Sequence, residues 1–354
     1  MITIEIKLNK NRFRKRLIRK NKVAHRKSKN KKLIFNYKSL NNTIIIKDFI
    51  KAPRVFNYLK YPLECNYFFS SLRMKKNCSI IRGRPSFKIC LKNTIEIDFA
   101  AISILKSIME EARITGISFS GNLPKDSECK KFLIEYGFLN NLEHNGDQKI
   151  NILSNGEYFS YEKKEGKLTV KDFMDFDRIS GKAFMGVTGV DGYFDDVITA
   201  FKEIGSNAVE WSRSKFSQWM VGYYEKDGKV IINVTDLGLG ILETLYRSGH
   251  LQFIDFWVAR TDLNILEGAF VRRYGSLSQE INRNKGLPFI KKIFDEGKIK
   301  NLVVSTNRIF YNFGNKNDCK ISPKLQFSFL GTFYQWELDK QCIDNYEQNN
   351  IDKE

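Results

Sequence analysis

The segment 216–236, FSQWMVGYYEKDGKVIINVTD, constrains the fold of this chain more than any other: two alternating apolar and polar runs meet at Asp227-Gly228. Alternation is the period of a half-buried strand. An Asp-Gly pair between two such runs marks a hairpin, because both central residues of the favoured turn take positive φ. A long helical pattern, DGYFDDVITAFKEIGSNAVEWSRSK, precedes the hairpin. Beyond it LNILEGAFVRRYG and GLPFIKKIFDEG read as helices, and NLVVSTNRIFYNFG and LQFSFLGTFYQWELD as strands. Helix, hairpin, helices and closing strands predict an α+β sandwich over 169–340 rather than a doubly wound sheet.

Upstream, NTIEIDF alternates like a strand and AAISILKSIMEEARI has apolar residues at helical spacing. GISFSG is strand-like again, and KDSECKKFLIEYG is a second helix ending on Gly137, a good C-terminal cap. This order predicts a smaller α/β module with partly parallel pairing inside 42–140. Residues 42–95 show no pattern that assigns an architecture. The stretch 141–168 is polar and reads as a linker, and 341–354 as a polar tail.

Charge divides the chain differently. Residues 1–41 hold ten lysines and five arginines against one acid, Glu5, so they carry +14 of the formal +19. Such a block cannot fold alone, since like charges repel and little apolar surface offsets chain entropy. It predicts a disordered basic arm, able to contact nucleic acid nonspecifically through phosphates or to act only as a solubilising tail. Hydrophobic residues make up 42% of the whole, enough for a sizeable core, which excludes full disorder. No apolar run approaches the roughly 18–20 residues that span a bilayer, and the first twenty residues lack the apolar centre of a secretory signal. The expectation is a cytoplasmic chain without a membrane segment. None of the six cysteines is paired at zinc-knuckle or redox spacing, and there are three histidines, so no structural metal is expected.

Three short segments carry chemistry. Glu203 and Asn207 stand four apart on the long helical pattern and so share a face. A carboxylate and an amide oxygen there suit Mg²⁺, or the carboxylate could deprotonate an attacking water; a solvated surface pair is the plain alternative. Asp236-Leu-Gly238-Leu-Gly240-Ile follows a strand directly. Its glycines let a ligand approach backbone closely, and its carboxylate can accept from an exocyclic amine such as that of adenine; a tight turn looks the same. Asn282-Arg-Asn-Lys285-Gly286-Leu-Pro opens a helix, where backbone N–H groups beside Lys and Arg form a phosphate cradle.

Together, in this order, the segments resemble the GHKL family of ATP-binding domains, which includes gyrase, histidine kinases and MutL. E-x-x-x-N-A matches the family's N box, D-x-G-x-G-I the first glycine box and N-K-G-L-P the second, while Phe329-Leu-Gly331-Thr332 matches the late Gly-Thr element. The resemblance covers about 192–338. It implies ATP and Mg²⁺ as cofactors, with Glu203 as the general base, Asn207 as the Mg²⁺ ligand and Asp236 as the adenine contact. It further implies Gly238 and Gly240 at the nucleotide-proximal turn, Lys285 and Gly286 in the phosphate loop, and Thr332 as the adenine-side hydroxyl. Two departures stand out. Trp211 occupies a position where anti-sigma-like relatives often carry histidine, and the second box has Asn284 and Gly286 with one glycine lost.

Within the family a histidine kinase fits poorly, since no histidine sits on a helical hairpin just ahead of 169. The 94–140 unit resembles, more faintly, a STAS-like module, with Ser103 near the phosphoacceptor position; a buried or capping serine is the competing account. The resemblance implies a Mg-ATP-dependent conformational switch or slow ATPase in a bacterial regulatory or defence setting, with an unknown protein partner. Its rivals are an anti-sigma-like serine protein kinase and a noncatalytic nucleotide-binding module whose basic arm holds nucleic acid.

Overall fold

A computed structural model of the chain describes residues 47–74, 77–81, 84–140, 142–144, 148–149, 153–162, 168–211, 218–248, 261–271 and 286–351. The basic arm, 1–41, lies outside them. In chain order, β1 (Ile50–Lys51), β2 (Val55–Phe56), α1 (Pro62–Leu72), β3 (Ser79–Ile81), β4 (Arg84–Cys90), β5 (Glu96–Ile97), α2 (Phe99–Ile114), β6 (Ser118–Asn122) and α3 (Ser127–Glu135) form an N-terminal α/β module. β4 pairs in parallel with β1 and β6 and antiparallel with β3, and β2 pairs in parallel with β5. The partly parallel module expected from the pattern is present. The expected strand 93–99 is cut short, however, because Asp98 leaves it to cap α2, accepting from Ala101 N at 2.8 Å.

A short hairpin, β7 (Glu143–His144) with β8 (Gln148–Lys149), leads to β9 (Gly156–Glu162), α4 (Val170–Thr188) and α5 (Asp195–Trp211). Then come β10 (Gln218–Lys226), β11 (Lys229–Asp236), α6 (Ile241–Ser248), α7 (Asp262–Phe270), α8 (Gly286–Asp295), β12 (Lys300–Asn307), β13 (Ile309–Asn312), β14 (Lys320–Ile321), β15 (Phe329–Leu338) and α9 (Lys340–Ile351). Seven of these strands make one antiparallel sheet in the order β14-β13-β12-β15-β11-β10-β9. The fold is mixed α+β. Lys226 pairs with Lys229 across Asp227 (φ 53°) and Gly228 (φ 69°), the two-residue turn that the sequence demanded.

Both faces of the large sheet are covered. On one, Trp219, Val221, Val230, Ile232, Val234, Tyr334 and Trp336 pack under α4 and α5, whose buried stripes include Phe176, Ile179, Ala183, Val197, Phe201 and Ile204. On the other, Val303, Phe310 and Phe333 join the core of the N-terminal module. Helix α2 lies between the two layers, which is why it is buried almost without a break from Phe99 to Ile108. Ser103 on it is 1% exposed and accepts from Asn233 Nδ2 of β11 at 3.0 Å. That position is closed to solvent, so the buried-serine account holds and the phosphoacceptor one does not.

Three sequence-based boundaries need correcting. The linker 141–168 contains β9, the edge strand that closes the sheet against β10. The sheet domain therefore does not begin at 169. Nor does it open with the pattern at 192, because α4 comes first; Thr169 and Asp172 form its capping box and Gly189 (φ 76°) ends it. The tail 341–354 is largely helix α9, which seats Cys342 and Ile343 in the sheet's core. Replacing Thr169 by Ala removes the hydroxyl that accepts from Asp172 N, and is expected to lower stability by about 1 kcal/mol. Urea denaturation of both proteins measures it; no change would mean that α4 is held by packing alone. Among the described residues no helix is long and apolar enough to cross a membrane.

Candidate functional site

Helix α5 presents Glu203 and Asn207 one turn apart, both half-buried, while Phe201, Ile204 and Ala208 face the core. Gly205 between them rests on the Trp219 ring of β10, and a Cβ there would come within 2.8 Å of it. Glu203 and Asn207 are thereby carried on the flank that faces α8. The first residue of α8 is Gly286, and it lies against both side chains. A Cβ at 286 would stand 2.8 Å from Glu203 Oε2 and 3.2 Å from Asn207 Nδ2, so only glycine permits this approach without displacing them. Two distant segments thus meet, with a carboxylate and a carboxamide set at a helix N-terminus. The positive end of that helix dipole favours negative charge. Lys285 and Asn284 lie outside the described residues.

The other half of the site is one row across the sheet. Asp236 at the end of β11 is the register partner of Thr332 on β15, and Thr332 of Thr306 on β12. Asp236 also pairs with Trp219 on β10, the residue beneath α5. All four are buried. Asp236 Oδ1 accepts from Gly238 N at 3.0 Å, which folds the chain back on itself straight after the strand. The phenol of buried Tyr334 lies near that carboxylate; burial first, and the Asp236 charge second, raise its pKa above the ordinary value, so it remains neutral. Gly331 adopts φ 127°, and a Cβ on it would fall 1.9 Å from Asp236 O. The two strand ends approach as closely as backbone allows, and a side chain at 331 would push them apart.

Two residues missed in the sequence organise the turn between Asp236 and α6. Thr306 Oγ1 accepts from Ile241 N at 2.9 Å and donates to Gly331 O at 3.0 Å. Asn307 Oδ1 accepts from Leu242 N at 3.0 Å, and its Nδ2 donates to Leu239 O at 2.8 Å. Together they satisfy the opening N–H groups of α6 from another strand. The turn with Gly238 and Gly240 is therefore held by β12, and α6 has few N–H groups left for an anion. The only cue in the sequence was Asn307 after Ser-Thr at a strand end, a residue type that tolerates its φ of 53°.

So the described site residues fall in two groups. Glu203, Asn207 and Gly286 are in direct apposition. Asp236, Gly238, Gly240 and Thr332 gather at one end of the sheet, linked to α5 through Trp219 and Gly205. Among the described residues no cluster of three or more His, Cys, Asp or Glu is placed to hold a metal. A Mg²⁺ here would take Asn207 as protein ligand, with water and phosphate oxygens completing an octahedron, an arrangement usual for this ion. No protein-family model matches the chain, and no curated protein matches it.

Proposed function

We propose that this chain binds Mg-ATP in the manner of a GHKL domain and works as a nucleotide-dependent switch with slow hydrolysis. What supports it above all is the apposition of Glu203 and Asn207 to Gly286 at the start of α8, since it unites residues some eighty positions apart into a set with phosphate and Mg²⁺ chemistry. The register pair Asp236–Thr332 supplies a carboxylate and a hydroxyl at the adjoining sheet end, with Thr306 holding the backbone beside them. An adenine there would offer its amine to Asp236, while its ring nitrogens accept from the Thr332 hydroxyl or water. The phosphates would run toward the α8 N-terminus, where helix dipole, backbone N–H groups and the Asn207-held cation neutralise them. Glu203, beside the same terminus, would take the proton of an attacking water.

Isothermal titration with ATP, with and without Mg²⁺, tests the metal half of this reading. Wild type is expected to bind ATP roughly tenfold tighter with Mg²⁺, about 1.4 kcal/mol, and Asn207→Ala to lose most of that difference. Equal affinity with and without the ion in wild type would remove Asn207 and Mg²⁺ from the site.

A further inference from the structure

The N-terminal module reaches the backbone of the candidate site with a guanidinium. Arg73, the residue that ends α1, donates from Nη1 to Leu330 O at 3.1 Å and from Nη2 to Leu237 O at 3.3 Å. Leu237 follows Asp236 directly, and Leu330 precedes Gly331-Thr332. Arg73 therefore spans the two backbone segments that present the register partners Asp236 and Thr332. Glu111 of α2 holds the guanidinium from within the module, with Oε2 at 3.1 Å from Nη2, and both side chains are under one-fifth exposed. Leu237, Phe329 and Phe333 pack into the module's core beside the guanidinium, so the polar fork adds a directional clamp to an apolar contact between module and sheet.

We propose that Arg73 is a positioning residue for the adenine end of the site, through which the N-terminal module regulates nucleotide affinity. The inference rests on the nucleotide reading given above. Its physical ground is the conformation that needs holding. Gly331 sits at φ 127° with its backbone close against Asp236 O, and the chain after Asp236 turns back at once so that Gly238 N donates to Asp236 Oδ1. Backbone of this kind persists only where its surroundings over-determine it. A planar guanidinium with five fixed donors can grip two carbonyls and a carboxylate together, which an ammonium cannot do with the same geometry. Since coupling between two sites is reciprocal, a partner that lifts α1 would weaken ATP binding, and bound ATP would fasten α1 and α2 to the sheet.

The test uses the full chain with ATP as probe. ATP affinity is measured for wild type, Arg73→Ala, Arg73→Lys and Glu111→Gln, beside amide hydrogen exchange of α1 and α2 with and without ATP. Arg73→Ala is expected to lose about tenfold in affinity, inside the 5–150-fold usual for coupled sites, and Arg73→Lys and Glu111→Gln a smaller part of it. In wild type ATP is expected to raise protection in α1 and α2; in Arg73→Ala it is not. A purely structural role would lower protection equally with and without ATP. If Arg73→Ala fails to fold, Arg73→Lys and Glu111→Gln give the same comparison. A wild type that does not bind ATP overturns the nucleotide reading and this proposal with it. A wild type that binds, with variants of equal affinity and no ATP-dependent protection of the module, overturns this proposal alone.

Discussion

Glu203→Gln is expected to slow phosphate release from ATP by about 10²–10⁴-fold, the usual contribution of a general base. ATP affinity is expected to change by no more than about twofold, since the group acts in the transition state rather than in binding. Glutamine preserves the volume that lies against Gly286, so the start of α8 keeps its seat on α5. What it lacks is a carboxylate able to take a proton. ATP labelled at the γ-phosphate measures the outcome directly. Label released by wild type and retained with Glu203→Gln agrees with a water-activating carboxylate. Equal release by both proteins would return Glu203 to the status of a solvated pair with Asn207. Label found on protein would replace hydrolysis by transfer to a hydroxyl, the serine-kinase alternative, and leave Glu203 as base for that hydroxyl.

Asp236→Asn is expected to weaken ATP binding by roughly ten- to a hundredfold, from the loss of a charge-assisted hydrogen bond worth about 1.5–3 kcal/mol. Asparagine is a more informative change than alanine. Its amide oxygen can still accept from Gly238 N, as Asp236 Oδ1 does, so the turn survives. The amide nitrogen then replaces the second carboxylate oxygen, turning an acceptor into a donor. A donor repels the adenine amine and suits the guanine oxo group, so the variant's preference for ATP over GTP is expected to shrink or reverse. A merely destabilising substitution would weaken both nucleotides alike.

Much of the sheet domain was legible because its signals are local. The Asp227-Gly228 turn, the helical stripe of Val197, Phe201, Ile204 and Ala208, and the strands bearing Val304 and Tyr334 each declare themselves within a dozen residues. Gly286 was singled out too, and its apposition to Glu203 and Asn207 gives a glycine there a physical reason. Polar composition hid the rest. β9 is an edge strand in which Glu157 and Ser160 interrupt the apolar residues, and α9 buries little beyond Cys342, Ile343 and part of Tyr346. Helix α4 opens on the Thr169–Asp172 box just past the expected linker, and its Phe176, Ile179 and Ala183 stripe has helical spacing. The docking of the module on the second sheet face left still less trace. It buries Asn233, Thr235, Ser305 and Gln335, residues that read as solvent-facing in an alternating strand, with Tyr58 Oη donating to Ser305 Oγ at 2.6 Å across 247 positions. Arg73 was invisible for a related reason. It recognises backbone carbonyls, which every residue carries and no sequence pattern marks.

The most direct test of an adenine site at the end of β11 is calorimetric titration of wild type and Asp236→Asn with ATP and with GTP, in Mg²⁺. The expected result is wild-type binding of ATP at least about tenfold tighter than GTP, one charge-assisted hydrogen bond's worth, with that gap narrowed or inverted in Asp236→Asn. Equal wild-type affinity for the two nucleotides, or binding of neither, would contradict the assignment of Asp236 and with it the nucleotide site.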